Sequence, residues 1–400
     1  MANSLLTIDM ITRKSLEILE NNLVISRNCN RQYDDSFAVQ GAKIGSTLRI
    51  RLPDRALVTD GAALQVQDDN EQYTTLSVAS QKHIGINFTS AELTMQLDDF
   101  AERVLKPRIS QLASSIDADV ATAYKSIYNS VGTPGTTPGT SLVLLQAQQK
   151  LNEFATPMSP RYATVNPAAN AGLVEGMKGL FNPTDTVSRQ FKNGMMGTGV
   201  LGFDEINMSQ SIGMHTTGAW GTTITSTGTL STQGQATLPI SFTGSSKTWK
   251  QGDVFTIAGV YAVNPQTRQS TGSLQQFVVT ADVTATTTGT LAISPPIYTA
   301  DHALATVDSF PQATAVVTML GSASTQYAQN LSYHKDAITL ATADLLLPQG
   351  VDMASRQTHN GISMRIVRQY DINNDRMPCR VDVLYGYAAI RPSMATRIWG

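Results

Sequence analysis

The sequence predicts an α+β chain into which a smaller all-β module has been inserted, and three observations carry that prediction. An apolar repeat with helical spacing runs from residue 89 to about 130. Period-two alternation marks strands before that helix and again near the C-terminus. Between residues 216 and 326 Thr, Ser and Gly dominate, charge thins out and helical spacing disappears.

At the start, residues 4–25 read as an amphipathic helix, with Ser4 or Thr7 placed to cap it. Leu5, Ile8, Ile11, Leu16, Leu19 and Leu23 share a face, and Asp9, Arg13, Lys14, Glu17 and Glu20 fill the rest. Such a stripe must be buried, either against the chain's own body or against a neighbouring subunit.

Residues 37–90 read as strands and an extended arm. Over Thr47–Leu52 the alternation puts Leu48, Ile50 and Leu52 on one side and Arg49 and Arg51 on the other. Pro53 and Asp60-Gly61 punctuate a reversal, and alternation resumes from Gln81 to Phe88. The intervening Leu64–Tyr73 carries Asp68, Asp69 and Glu71 with little apolar content. An isolated two-stranded protrusion is marginal in water and calls for a partner surface.

The helix that follows takes Leu93, Leu97, Phe100, Leu105, Ile109, Leu112, Ile116 and Val120 into one repeat. At 1.5 Å per residue it would span about 45–50 Å, and Pro107 should kink or divide it. After the Gly132–Gly139 loop come a helix from Leu142 to about Phe154, a short buried strand at Tyr162–Val165 and a helix over 168–181. Within 216–326, runs such as Asp253–Ile257 and Gln276–Thr280 read as short strands of a small barrel or sandwich. The original character then returns, with His334-Lys335-Asp336 read as the cap of a helix reaching Leu347, and strands near Met364–Tyr370 and Val381–Ile390. A module inserted where the host's chain ends meet explains this order better than a linear string of domains.

Composition narrows the function classes. The 400 residues suffice for a sizeable core, yet only 15% are charged against 41% hydrophobic. That charged share is low beside the roughly 25% of soluble domains and fits a surface largely covered by partners. Net charge is −2 with no Lys/Arg block, so DNA against this chain would be contained more than gripped. Cys29 and Cys379 are too far apart in sequence to suggest a disulfide framework or a metal motif, and fit reduced thiols. No basic leader followed by an apolar run, and no membrane-length apolar stretch, is visible, so a soluble protein made in the cytoplasm is expected.

Catalytic readings are weak. Gly197-x-Gly199-x-x-Gly202 matches the dinucleotide fingerprint in letters, but no helical face follows it, and a flexible glycine-rich loop is expected instead. His83, His215, His302, His334 and His359 show no metal-ligand spacing. Asp34-Asp35, Asp68-Asp69, Asp98-Asp99 and Asp117/Asp119 are poorly placed for acid–base pairs. No Walker loop or GxSxG elbow occurs. Neither an enzyme nor a cofactor or metal is expected.

Several segments carry a resemblance. Phe88-Thr-Ser-Ala-Glu-Leu-Thr94, Phe100–Pro107 and Leu112 through Ile116-Asp117-x-Asp119-Val120 resemble the coat proteins of short-tailed phages of the Salmonella-podovirus type. So do Asn330–Ala337, Ala343-Asp344-Leu345 and Tyr385-Gly-x-x-x-x-Arg391-Pro392, and Trp249–Val260 looks like a strand pair of that family's inserted barrel. The resemblance implies the tailed-phage major capsid fold. Its parts map to an N-terminal arm (1–36), an extended E-loop (37–80), a peripheral domain with a spine helix (81–165) and an axial domain begun at 166–215. An inserted β-barrel (216–326) and a last stretch (327–400) that holds the second part of the axial domain and the return to the peripheral domain complete it.

The implied function is a structural coat protein that self-assembles into pentamers and hexamers of an icosahedral head. Implied partners are further copies, a scaffolding protein, a portal and non-specifically contacted double-stranded DNA, with no membrane. The candidate assembly residues are Leu5, Asp9 and Leu16 of the arm, Arg49 and Arg51 of the strand, and Asp68, Asp69 and Glu71 of the acidic cluster. Two alternatives stand beside it. One is an encapsulin-like nanocompartment shell. The other is a β-rich carbohydrate-binding protein acting through 216–326, which leaves the spine helix unexplained.

Overall fold

A computed structural model of the chain describes residues 8–33, 47–59, 61–62, 64, 66, 72–89, 106–176 and 197–400. The first elements are helices α1 (Ile8–Asn22) and α2 (Ile25–Asn28), and strands β1 (Asn30–Tyr33), β2 (Thr47–Arg51), β3 (Tyr73–Ser77) and β4 (Ser80–Thr89). Helix α3 (Lys106–Ala121) runs into a 3-10 turn over Thr122–Ser126. Strand β5 (Ser130–Val131), helix α4 (Ser141–Glu153), strand β6 (Arg161–Val165) and helix α5 (Pro167–Gly176) follow. Next come β7 (Gly197–Val200), β8 (Phe203–Met208) and β9 (Met214–Thr216). The β-rich middle holds β10 (Ile224–Ser226), β11 (Gln235–Phe242), β12 (Lys247–Trp249) and β13 (Val254–Val263), then β14 (Ser270–Val279), β15 (Val283–Ala285), β16 (Thr288–Ile297) and β17 (Val317–Met319). Strands β18 (Gln326–His334), β19 (Ile338–Ala343), β20 (Met353–His359), β21 (Ile362–Arg368), β22 (Arg376–Ala389) and β23 (Ala395–Trp399) close the chain.

These elements form two compact units. One gathers residues 1–50, 73–121 and 339–388, and the other gathers 51–72, 122–338 and 389–400.

The first unit is built on the sheet β1-β19-β22-β21-β20, with β4 paired along β22 from Ser80–Tyr385 to Thr89–Arg376. Helix α1 packs against β20, β21 and α3. Leu16, Leu19 and Leu23 of its stripe are buried, each contributing roughly 2 kcal/mol through apolar area removed from water. The expected single helix over 4–25 breaks at Leu23-Val24, and Asp117 of α3 supplies the reason. Its buried carboxylate accepts from the backbone N–H groups of Val24 (2.6 Å), Ile25 (3.3 Å) and Ser26 (2.9 Å), and from the Ser26 hydroxyl. A carboxylate at the free N–H groups of a helix start satisfies donors that have no intrahelical partner. Asp117 therefore starts α2 from ninety residues away in sequence, a role its neighbour Asp119 does not share. Asp119 instead pairs with Lys82 and accepts from the Tyr385 hydroxyl.

Gly386 shows why β22 needs a glycine where it passes β3. A Cβ there would lie 2.0 Å from the Ser77 carbonyl oxygen and 2.8 Å from the Val78 Cα, both backbone atoms that cannot swing aside. Nearby, Leu76, Val78, Ala341 and Ala343 form an apolar cluster onto which Leu48, Ile50 and Leu384 pack.

The second unit has a host sheet in the order β5-β23-β18-β6-β8-β7, with β9 also paired to β18. Strand β23 is buried at every position, because the sheet is covered on both faces. On one side Ile398, Ala163 and Val165 meet Leu144, Leu151 and Leu173 of helices α4 and α5. On the other side Trp399 and Tyr327 meet Val254, Ala262 and Val278 of the β-rich middle. That middle is a six-stranded sheet, β10-β11-β16-β14-β13-β17, whose ends meet through the Thr225–Val316 bridge. Hydrogen bonds from Ser226 N to Ala315 O (2.9 Å) and from Thr314 N to Ser226 O (3.0 Å) reinforce the closure. Closure removes the sheet's free edges. Inside it, Phe255 stacks on Phe277 and Phe242 meets Trp249 edge-on, the ring centroids 5.7 and 4.8 Å apart.

Other expectations need correction. The long spine is described only as α3, which ends at Ala121 before a 3-10 turn, short of residue 130. Its expected first half lies outside the described residues, and Pro107 stands in the first turn of what is described. The helix expected after His334 is a single 3-10 turn, Lys335–Ala337, followed by strand β19. Its Ile-Thr-Leu-Ala-Thr-Ala run is buried at all six positions between β1 and β22, and two-sided burial overrides helix propensity. The cap itself is present: Asp336 N donates to His334 Nδ1 (3.2 Å). Gly197, Gly199 and Gly202 all have positive φ, and they shape a tight hairpin between β7 and β8, in place of the expected flexible loop. Strands β12 and β13 do not pair with each other, since β12 pairs with β15 and β13 with β14 and β17.

Two predictions test these supports. Replacing Asp117 with Ala strands three backbone donors, and urea unfolding should show a loss of about 3 kcal/mol. A loss below about 1 kcal/mol would show that α2 starts without it. Burial holds the His334 imidazole below its ordinary 6.5, with Asp336 opposing part of the effect. The folded state keeps that ring neutral while the unfolded chain protonates it, so its stabilisation is present above about pH 6.5 and is lost as pH falls below. His334→Asn keeps an acceptor that does not titrate, and the drop in urea midpoint between about pH 7 and pH 5 should shrink in that variant.

Candidate functional site

Two features outside the ordinary cores stand out: a buried polar joint between the barrel and its host sheet, and the protrusion beyond β2 and β3.

The joint begins where the chain enters and leaves the barrel. Strands β9 and β18 run antiparallel with Thr216 opposite Gln326, so the two connections lie side by side. Thr217 Oγ1 donates to Ser322 O (2.7 Å) and accepts from Thr325 N (2.9 Å), and Tyr327 Oη accepts from Ser322 N (2.9 Å). Just ahead of β13, the buried Asp253 carboxylate accepts from Lys250 N (2.7 Å) and Gly218 N (3.1 Å). It also lies 2.8 Å from Nε2 of the buried His215, whose Nδ1 is 3.3 Å from the Tyr124 hydroxyl.

Arg397 of β23 completes the joint. Its guanidinium is fully buried: Nε donates to Ile127 O (2.8 Å) and Nη1 to Gly252 O (2.7 Å), with Gln329 Oε1 at 3.4 Å. Burial pushes its pKa down to about 9, opposed by the Tyr124 and Asp253 side chains, so the group stays charged near neutrality. One planar fork thereby ties the chain after α3, the barrel's entrance and the C-terminal strand.

Smaller contacts line the same boundary. The Gln276 side-chain amide accepts from Ser130 N (2.6 Å) and donates to Ser130 O (2.9 Å), acting as a strand partner for β5. Lys150 Nζ donates to Ser273 Oγ (3.2 Å) and pairs with Glu153, while burial pushes its pKa down. This arrangement immobilises the barrel on its host. It brings polar groups together for structure.

The protrusion differs in character. Strands β2 and β3 pair, Leu52 N donates to Gln72 O (2.8 Å), and the Arg49 guanidinium lies 4.2 Å from the Tyr73 ring centroid. Beyond them Val58, Leu64 and Val66 are 92%, 88% and 83% exposed. Three aliphatic side chains on one short segment thus face water in the single chain.

The candidate residues divide accordingly. Leu5, Asp68, Asp69 and Glu71 lie outside the described residues. Asp9 is exposed and accepts a hydrogen bond from the Ser355 hydroxyl, and Leu16 is 1% exposed, buried within the subunit. Arg49 and Arg51 are exposed on β2. In sequence His215 is weighed only as a metal ligand, Asp253 and Gln276 appear only as the first residues of strand runs, and Arg397 is not singled out, because nothing announces that residues so far apart will meet.

Comparison with known proteins places the chain. A family model described as "P22 coat protein - gene protein 5" matches residues 1–400. The major capsid protein of Acyrthosiphon pisum secondary endosymbiont phage 1 is 22% identical over 338 residues, covering 79% of each chain. Among solved structures, one of Mycobacterium phage Che8 is 12% identical with a TM-score of 0.47, covering 94% of this chain and 90% of that one. The mature capsid of bacteriophage PhiM1 is 12% identical with a TM-score of 0.45, covering 94% and 86%.

The joint predicts a specific sensitivity. Arg397→Met should lower unfolding stability by about 3–5 kcal/mol, because the carbonyls and Asp253 would lose a buried cation. Urea titration followed by tryptophan fluorescence, with Trp399 two residues away, reads this directly. A loss below about 1 kcal/mol would mean the apolar contacts alone hold the joint.

Proposed function

The chain belongs to the P22 coat protein family over residues 1–400, and from that premise we propose how its parts serve a capsid. It is the major capsid protein of a tailed phage, a component of the virion that assembles with its own copies into the shell. The observation that carries the assembly reading is the protrusion, whose exposed Val58, Leu64 and Val66 suit a surface covered by another copy.

Residues 1–36 act as the N-terminal arm, 37–80 as the E-loop, and 81–165 as the peripheral domain. Residues 166–215 and 327–400 form the two parts of the axial domain, the second also returning to the peripheral domain, with 216–326 as the inserted barrel. The E-loop of one subunit lies over the next as a heterologous contact that closes rings of five and six. The exposed Arg49 and Arg51 sit at that contact, opposite acidic groups of the neighbour. Assembly proceeds around a scaffolding protein, and DNA enters through a portal. The near-neutral charge supports a shell that contains double-stranded DNA with only non-specific contact. The subunit is made in the host's cytoplasm and acts as a structural component of the shell without catalysis.

Negative-stain electron microscopy of the protein, expressed with and without its neighbouring phage genes, tests this reading. Closed shells or aberrant tubes are expected, and a monomer under every condition would overturn it. Deleting residues 54–72 removes the apolar tip while leaving β2 and β3. The variant should stay folded by circular dichroism and form no shells, and normal particles would refute the proposed role of the E-loop.

A further inference from the structure

We propose that the free subunit holds the root of its protrusion on its own barrel through Arg268, and that this clasp must release before the same segment docks on a neighbouring copy. The proposal rests on the reading that residues 54–72 dock between subunits.

The clasp is a preorganised turn. Between β13 and β14, Asn264 N donates to Gln269 O (3.0 Å) and Arg268 N to Asn264 O (2.9 Å). The Asn264 side chain accepts from Gln266 N (2.9 Å) and Thr267 N (3.0 Å), and its Nδ2 donates to Glu153 O at the end of α4 (2.8 Å). The turn is thus fixed to the host as well as to the barrel. Arg268 sits at its corner with φ of 57°, a left-handed conformation uncommon for a long side chain. From there Nη2 donates to Ala303 O of the barrel (3.4 Å) and to Ala56 O of the protrusion (3.2 Å). Residues 51–72 accordingly belong to the same compact unit as the barrel.

The held segment is otherwise loosely covered. Leu52 and Leu57 are half-buried, while Pro53, Asp54, Arg55, Ala56 and Val58 are exposed. Both acceptors are backbone carbonyls, so the clasp reads the path of the chain and not a side chain, and it can let go without leaving a buried group unpaired. A solvent-accessible charged hydrogen bond of this kind changes an equilibrium by about two- to five-fold, enough to delay docking without preventing it.

Arg268→Gly removes the guanidinium and suits the positive φ, so the turn is not strained. Its initial rate of shell formation by light scattering should rise by about two- to five-fold over the natural chain under the same conditions. A second measurement does not depend on that variant. With cysteines at Ala56 and Ala303, a short disulfide-containing bismaleimide should link the two positions in free subunits but not in finished shells. The linked subunit should fail to assemble until the linker is reduced. An unchanged rate for Arg268→Gly, or a linked subunit that assembles normally, would overturn the clasp. Should Arg268→Gly prove insoluble, the cross-link decides alone. The variant lacking residues 54–72 separates the two ideas: if it forms shells, the docking reading fails. If it does not and Arg268→Gly assembles at the natural rate, only the clasp fails.

Discussion

The second compact unit depends on one buried cation. Arg397 stands in the last strand of the chain, yet its guanidinium reaches the carbonyl of Ile127 beyond α3 and that of Gly252 at the mouth of the barrel. A charge with no access to water must be compensated or it would unfold its surroundings. The compensation comes from chain segments that sequence keeps more than a hundred residues apart. Fixing Arg397 therefore fixes where the C-terminal strand, the 3-10 turn and the barrel entrance lie relative to one another. Tyr124, His215 and Asp253 extend the same network to the start of the insertion.

Around that network the host sheet is buried on both faces, by helices on one and by the barrel on the other. This accounts for the even burial of β23 and for much of β18, where alternation in water would have been expected. It also changes the meaning of the insertion. A module joined through two side-by-side strands could have been a tethered appendage, but one whose Val254, Ala262 and Val278 help cover Trp399 is part of the host's own core. A barrel held this firmly offers a fixed platform, and the Arg268 turn is mounted on it.

Much of the fold was legible in sequence because local pattern and final environment agree. Helix α4 and strands β4, β6, β13 and β14 fall where periodicity placed them. Agreement failed where a distant group intervened: α1 and α2 are separate because Asp117 captures the intervening N–H groups, and β19 is a strand because two strands flank it. The candidate residues fared less evenly. Leu16 lies on the apolar face as read, and its side chain is buried inside the subunit. Exposed Arg49 and Arg51 follow from simple alternation.

What the sequence determined alone was the class of protein. A low charge content, an apolar repeat at helical spacing, a Thr-, Ser- and Gly-rich insertion and the family's segments are properties of residue order, and they survive any arrangement in space. What only the tertiary structure decided was how the insertion is joined and which polar residues do the joining. An arginine, a histidine and an aspartate distant in the chain carry no mutual signal in one sequence. Their pairing is enforced by the cost of burying each of them alone, and that cost arises only once the fold has closed around them.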